Sequence, residues 1–500
     1  MDSLLFLCAR RVVTQRPLPA LPPDLYPVLF QVAFLDGRAL VLRDLVDTWP
    51  FPVLHVQRLV GHRELLRDHS CRFCMEAVIQ GVVVQLRREL EEPGRDSRWV
   101  YSRFSSLRVL DMTRLSDSVS GDTPAGLTVW FSTEALAKAC VEVSKHQQEF
   151  QTHGSKWHKG CSGDAASTAV PEPRGVDVHT DLLVNRTSYE ILCHALQTGA
   201  TSPLRLKCRE FQAVDISASE IVTLLESLYP SCLRRVELYF NNLGLTGLSV
   251  ILPHLSRFPE LRSLKFRYSN VDVRHLTPES AMTIRCVARQ LGMLPSLQEL
   301  SLGSSQLSGN LHQILCDLQA PLESLELGYC SLLPTDLAFL SQSFHAPALK
   351  RLDLSGHNIS QGLQEPLRLL LEETSSSLLH LDLTECDMAD SHLEALLPTL
   401  LRCSRLRFLG LHGNSLTTAA IKDLLQKTLE LPDLHLVVYP IPEDCYKLEL
   451  WDSISDVVED EELLAVTTAE ISQLLENSGR TDIIWTSSIF AYRDLDYFSL

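Results

Sequence analysis

At 500 residues the chain is too long for one compact core, so it is several domains or an array that grows along an axis. A content of 45% hydrophobic and 21% charged residues is ordinary for a folded soluble protein. The net charge of -17 excludes nonspecific nucleic-acid binding and attraction to an anionic membrane surface, both of which need a cationic footprint.

The first segment, Met1 to Val13, has no cationic start, and its apolar run ends at Arg10–Arg11. It is too short for a signal peptide or a spanning helix. Within it Ser3, Leu4, Cys8 and Val12 fit S-L-x-x-x-C-x-x-x-V, which puts Leu4, Cys8 and Val12 on one helix face with Ser3 as N-cap. A leucine beside a small thiol suits insertion into a partner's groove. Next, Leu21, Pro22, Leu25 and Leu29 form Φ-P-x-x-Φ-x-x-x-Φ, an apolar face on a helix opening at proline. The competing expectation is that these apolar residues simply pack the N-terminal helices together.

Residues 1–90 read as a helical, proline-broken region. Residues 91–143 read as an irregular first repeat, with Leu107–Leu110–Met112 in the repeat register after a charged, loop-like stretch from Arg88 to Arg103. Residues 144–175, rich in His, Ser, Gly and Lys without periodicity, read as a mobile linker or insertion.

Residues 176–438 read as leucine-rich repeats: Val176 to Val184 and Leu204–Phe211 are strand-like, and from Leu233 one leucine spacing dominates, L-x-x-L-x-L-x-x-N/C-x-L. Copies start at Leu233, Leu261, Leu297, Leu322, Leu349, Leu378, Leu406 and Leu434, at intervals of 28, 36, 25, 27, 29, 28 and 28 residues. This is a leucine-rich repeat pattern, and it predicts an α/β solenoid, a horseshoe with one strand and one helix per copy. Cys330 and Cys386 occupy the slot held by Asn241 and Asn414 elsewhere, as buried thiols. His357 stands in that slot too, with Asn358 one residue late, which leaves the local loop geometry open. Period-2 alternation buries the fourth and sixth residues of each copy and turns the third, fifth and seventh to the concave face. Arg and Tyr are favoured contact types there, so Arg235, Tyr239, Lys265, Arg267 and Tyr268 are the expected client-binding patch.

Residues 439–500 carry 14 Asp plus Glu against 3 Lys plus Arg, a balance of -11. They read as an acidic C-terminal cap, with a helix over 453–477 and a strand over 482–487.

No phosphate-binding loop, nucleophile elbow or metalloprotease helix appears, so catalytic residues and cofactors are not expected. Two loose His/Cys groups exist: His62, His69, Cys71 and Cys74, and His146, His153, His158 and Cys161. Neither has finger spacing, and no metal is expected at either. The placement of cysteines in repeat cores points to a reducing, intracellular compartment.

The two N-terminal patterns resemble a BC box, which docks elongin C, and a cullin-2 box. Leu21–Pro22 through Phe34, Thr48–Trp49–Pro50–Phe51, Leu107–Asp111, Leu349–Gly356 and Asp496–Leu500 resemble the PRAME family (preferentially expressed antigen in melanoma) across nearly the whole chain. That resemblance implies a substrate receptor of a cullin-2 ubiquitin ligase, with elongin B/C and cullin-2 as partners and a client protein on the repeats. It also implies negative regulation of signalling or transcription, in the cytoplasm or nucleus. The alternative is an inhibitory scaffold that binds a signalling protein without ubiquitin transfer. A third reading is an F-box-like receptor that uses a Skp-type adaptor.

Overall fold

Apolar residues at the fourth and sixth positions of each copy are buried, and that burial sets the strand of each copy. In the computed structural model the described residues are 4–60, 72–91, 107–113, 124–157, 175–199, 202–274, 277–451, 454–480 and 482–488. They divide into two compact units, Met1–Val236 and Glu237–Leu500.

The first unit begins with helices Leu4–Val13, Tyr26–Leu35 and Ala39–Asp47. Trp49 is the joint of this region. Its ring meets Tyr26, Phe30 and Phe51 edge-on at 5.8–5.9 Å, and its indole N–H donates to the Val53 carbonyl at 3.2 Å. The first strand follows at once, β1 (Val53–His55). It pairs in parallel with β2 (Val109–Asp111), β2 pairs with β3 (Val176–Val184), and β3 with β4 (Leu204–Val214). A strand inside residues 1–90 departs from the all-helical expectation. Its three residues are too few to show alternation, and its partner lies 56 positions away.

The helix Pro124–Trp157 runs 14 residues into the stretch read as linker. Buried Cys140, Val143 and Ser144 seat it, and His146 meets Phe150 edge-on at 4.9 Å, so the polar composition there belongs to a helix that continues to Trp157. The remainder of that stretch, 158–174, lies outside the described residues.

In the second unit, strands β6 (Ser263–Arg267), β7 (Glu299–Ser301), β8 (Ser324–Glu326), β9 (Arg351–Asp353), β10 (His380–Asp382), β11 (Phe408–Gly410) and β12 (Leu436–Val438) follow chain order, all parallel. The boundary between the units falls inside β5 (Arg235–Tyr239). Middle residues pair in one unshifted row: Leu264, Leu300, Leu325, Leu352, Leu381, Leu409, Val437. Between strands run helices whose inward faces are buried, such as Leu393, Leu396, Leu397 and Leu400 of Asp390–Leu400. Extra length in the second copy becomes the helix Pro278–Gly292, started by a Thr277–Ser280 capping box.

The acidic end also departs from expectation. Residues 454–459 form β14 (Ile454–Glu459), antiparallel to β13 (Tyr446–Trp451), and the helix begins only at Glu461. Asp460 is its N-cap, its side chain accepting from the Leu463 N–H at 3.2 Å. Then β15 (Ile484–Thr486) pairs in parallel with β12, so the sheet extends one strand past the last leucine copy.

In the copies with Asn, Cys or His at the ninth position, that residue is a hydrogen-bonding plug. Asn414 donates to the Leu411 and Leu383 carbonyls and accepts from the Cys386 and Met388 N–H groups. Cys330 and Cys386 are buried, and their thiols donate to the Leu302 and Leu354 carbonyls at 3.1 and 3.3 Å. Burial pushes both thiols up to about 12, so they stay neutral. His357 fits the same slot, with its Nδ1 2.9 Å from the Leu354 carbonyl oxygen, and the preceding Gly356 keeps a left-handed turn at φ 72°. A Cβ on Gly356 would lie 2.2 Å from the Tyr329 ring. Gly356→Ala is therefore expected to lower the unfolding free energy measured in urea by more than the ~1 kcal/mol of left-handed backbone strain, and Tyr329→Ala in the same chain should recover the excess.

Candidate functional site

Two surfaces carry the sequence-predicted residues, one in each unit. The first is the helix Leu4–Val13. Ala9 and Val13 are buried and seat it, while Arg10 ties it to Asp36 at 3.4 Å. Its other face is open: Leu4 is 78% exposed, Leu5, Leu7 and Cys8 are exposed, and Val12 is half-buried. Ser3 lies outside the described residues.

The second segment divides differently. Pro22 is exposed, and Leu21 and Leu25 are half-buried. Leu29 is only 2% exposed and belongs to the same core as Phe30, Phe34 and Trp49. Its position in the pattern is used for packing, so it offers no surface to a partner. Leu29→Ala is expected to cost about 2–5 kcal/mol in urea unfolding, whereas Leu4→Ala should change stability by less than about 0.5 kcal/mol.

The second surface is the strand face of the second unit. Lys265 was expected to be exposed there; it is only 6% exposed. Its ammonium lies 3.0 Å from Glu326, which is 2% exposed and also receives Arg267 and, at 3.6 Å, Arg351. Ser301 stands between Lys265 and Glu326 in the paired row, and its small side chain lets the lysine reach across a whole strand. Burial pushes Glu326 up, but Lys265, Arg267 and Arg351 outweigh it and hold the carboxyl well below its ordinary value. Arg267 remains half-exposed. In the first unit Arg235 is half-buried, 3.6 Å from Glu210.

The aromatic residues are more open. Tyr268 is 43% exposed and Tyr239 half-exposed. Sequence reasoning missed Phe240, which stacks on Tyr268 with ring centroids 4.6 Å apart and planes 16° apart. It also missed Tyr329, whose hydroxyl donates to Glu385 at 2.7 Å. The signal that finds them is alignment of the copies: Phe240, Tyr268 and Tyr329 share the eighth position with Gly356 and Gly413.

Further along, Asp353 and Asp382 sit directly opposite each other on neighbouring strands. Asp353 accepts from the Ser355 N–H and hydroxyl, and Asp382 from the Thr384 N–H. Burial, then the Asp353 charge, raises Asp382 from 3.8 to about 6. This group adds stability below its ordinary 3.8 and loses it as pH rises through 6. His380, lowered from 6.5 to about 4 by burial and by Arg351 and Arg407, acts oppositely, losing its contribution as pH falls through 4. The difference in urea midpoint between wild type and Asp382→Asn isolates the aspartate, and it should move in favour of wild type as pH drops from 7 to 4.

Of the two His/Cys groups, only Cys74 and His146 have described side chains. Cys74 is buried with its thiol pushed up to about 11 by burial, and His146 lies 3.3 Å from Glu91. His62, His69, Cys71, His158 and Cys161 and the side chain of His153 lie outside the described residues. Among the described residues no group of three or more His, Cys, Asp or Glu is placed to hold a metal ion, and no helix is long and apolar enough to cross a membrane. The twelve described cysteines are all thiols.

A parallel sheet with one strand, one loop and one helix per leucine copy defines a leucine-rich repeat protein. Residues 7–117 match the PRAME N-terminal domain and 179–494 the PRAME C-terminal domain, and the chain belongs to the PRAME family. It is 44% identical to leucine-rich repeat-containing protein 14 of Xenopus laevis and 43% identical to that of Homo sapiens, each over 100% of both chains. PRAME family member 8 of Homo sapiens is 32% identical over 85% of this chain and 82% of its own.

Proposed function

We propose that this protein is a substrate receptor of a cullin-2 ubiquitin ligase. The helix Leu4–Val13 docks an elongin C-type adaptor, elongin B and cullin-2 complete the scaffold, and the strand face of the second unit holds a client protein. The observation that carries this is the open face of Leu4, Leu7 and Cys8 on a helix already seated through Ala9 and Val13. An apolar helix stripe that makes no use of its own core is suited to a partner's groove. The receptor contributes proximity and no catalytic side chain. Its action is negative regulation of signalling or transcription, in the cytoplasm or nucleus.

A second reading, an inhibitory scaffold without ubiquitin transfer, draws on the burial of Leu29, which removes one anchor of the cullin-box pattern. The two separate in one experiment. Elongin B/C should co-purify with the wild-type chain, and the Leu4→Ala/Cys8→Arg variant should lose at least 90% of it at an unchanged urea midpoint. Equal recovery from both chains would end the receptor reading. A client whose activity falls while its abundance stays constant would favour the scaffold.

A further inference from the structure

Between the helices Leu4–Val13 and Tyr26–Leu35 the chain reads Arg16–Pro17–Leu18–Pro19–Ala20–Leu21–Pro22–Pro23. Each proline locks its own φ, and the residue before a proline is pushed out of the helical region toward extended backbone. From Pro17 to Pro22 these two restraints reach every residue except Ala20. At the end of the run Pro22 has φ −61° and ψ 141°, against about −75° and +145° for a polyproline II helix. Among the described residues the N–H groups of Leu18, Ala20 and Leu21 make no backbone hydrogen bond, as in that helix, which has none internally.

Burial along this rod follows the three-residue turn of such a helix. Leu18 and Leu21 are half-buried and seat it, while Pro17, Pro19, Ala20, Pro22 and Pro23 are exposed. Pro19 and Pro22 therefore share one open edge, a turn of about 9 Å apart. A short 3-10 turn, Pro23–Leu25, then leads into the helix Tyr26–Leu35. Seated by its leucines and stiffened by its prolines, the rod has little conformational freedom left to lose on binding, which is what a proline-rich segment offers a partner.

The flank ahead of the rod is cationic. Arg16 is exposed, stands three residues before Pro19, and joins Pro17 through a cis peptide bond. Its guanidinium lies 2.8 Å from Asp44, in an ion pair open to solvent that another carboxylate can replace. Arg11, on the preceding helix, is exposed as well. P-x-x-P segments dock in aromatic-lined grooves, and in SH3 domains acidic side chains on the rim take a cation beside the prolines. We infer that Pro19 and Pro22 dock in the aromatic groove of an SH3-type domain, with Arg16 passing from Asp44 to a carboxylate on the groove's rim. This goes beyond the receptor reading, since it uses none of Leu4, Leu7 and Cys8. Pro22 also belongs to the cullin-box pattern, so an SH3-type domain and a cullin compete for it.

The test uses the full-length chain and a panel of purified SH3 domains, each beside its counterpart with the groove tryptophan replaced by alanine. At least one domain should bind, and its counterpart should bind at least tenfold more weakly. Pro19→Ala/Pro22→Ala in the chain should weaken the same domain at least tenfold, and Arg16→Gln at least threefold, with urea midpoints checked in parallel. Ala20→Pro stiffens the rod and should bind at least as tightly as wild type; if the double-proline variant unfolds early, Arg16→Gln and Ala20→Pro decide. Leu4→Ala/Cys8→Arg should keep SH3 binding whatever it does to elongin B/C, so the two readings fail separately. A panel in which no domain binds, or a domain that holds wild type and the double-proline variant equally, would overturn the inference. So would a WW domain that takes the chain where no SH3 domain does.

Discussion

The unshifted row of buried middle residues from Leu264 to Val437 is the constraint on which the second unit depends. Each strand is three to five residues long and cannot be stable by itself. It becomes stable because a fully buried leucine, worth about 2 kcal/mol, meets its counterpart on both sides at strand spacing. A slip of one residue would send every such leucine to the open face. Fixing the row therefore fixes everything around it: which residues face outward, where the chain turns left-handed, and where the ninth residue must plug the turn.

That rigidity explains the polar features of the strand face. Residues at the fifth position stand shoulder to shoulder, so Lys265, Ser301, Glu326, Asp353 and Asp382 form one file. Charges in such a file are partly desolvated and cannot move apart. At one end the file is satisfied, since three cations share Glu326. At the other it is not, and Asp382 answers by holding its proton to about pH 6. The contrast arises from residue order along one column, without any special backbone.

The fold was legible because leucine spacing reports burial directly, and the class followed from it. Depth on the open face was not. Period-2 alternation says which way Lys265 points, but its burial depends on Glu326, 61 residues on, and on a serine between them. Likewise Val53–Leu54–His55 is too short to show a pattern, and Leu29 looks identical in sequence whether it faces a partner or the Trp49 core. The N-terminal motif illustrates the general case: of its residues, Leu4 and Cys8 stand open while Trp49 and Leu29 are structural.

The eighth position separates what the fold requires from what it tolerates. Gly356 and Gly413 show that the turn needs nothing larger than hydrogen. Phe240, Tyr268 and Tyr329 make the same turn at a strain of about 1–3 kcal/mol each, and their exposed rings return only part of that through the Phe240–Tyr268 stack and the Tyr329–Glu385 hydrogen bond. Core packing gives no reason for them, because their side chains leave the core. A residue that costs stability where glycine would serve is explained by what it presents to the outside, and these three present exposed aromatic rings.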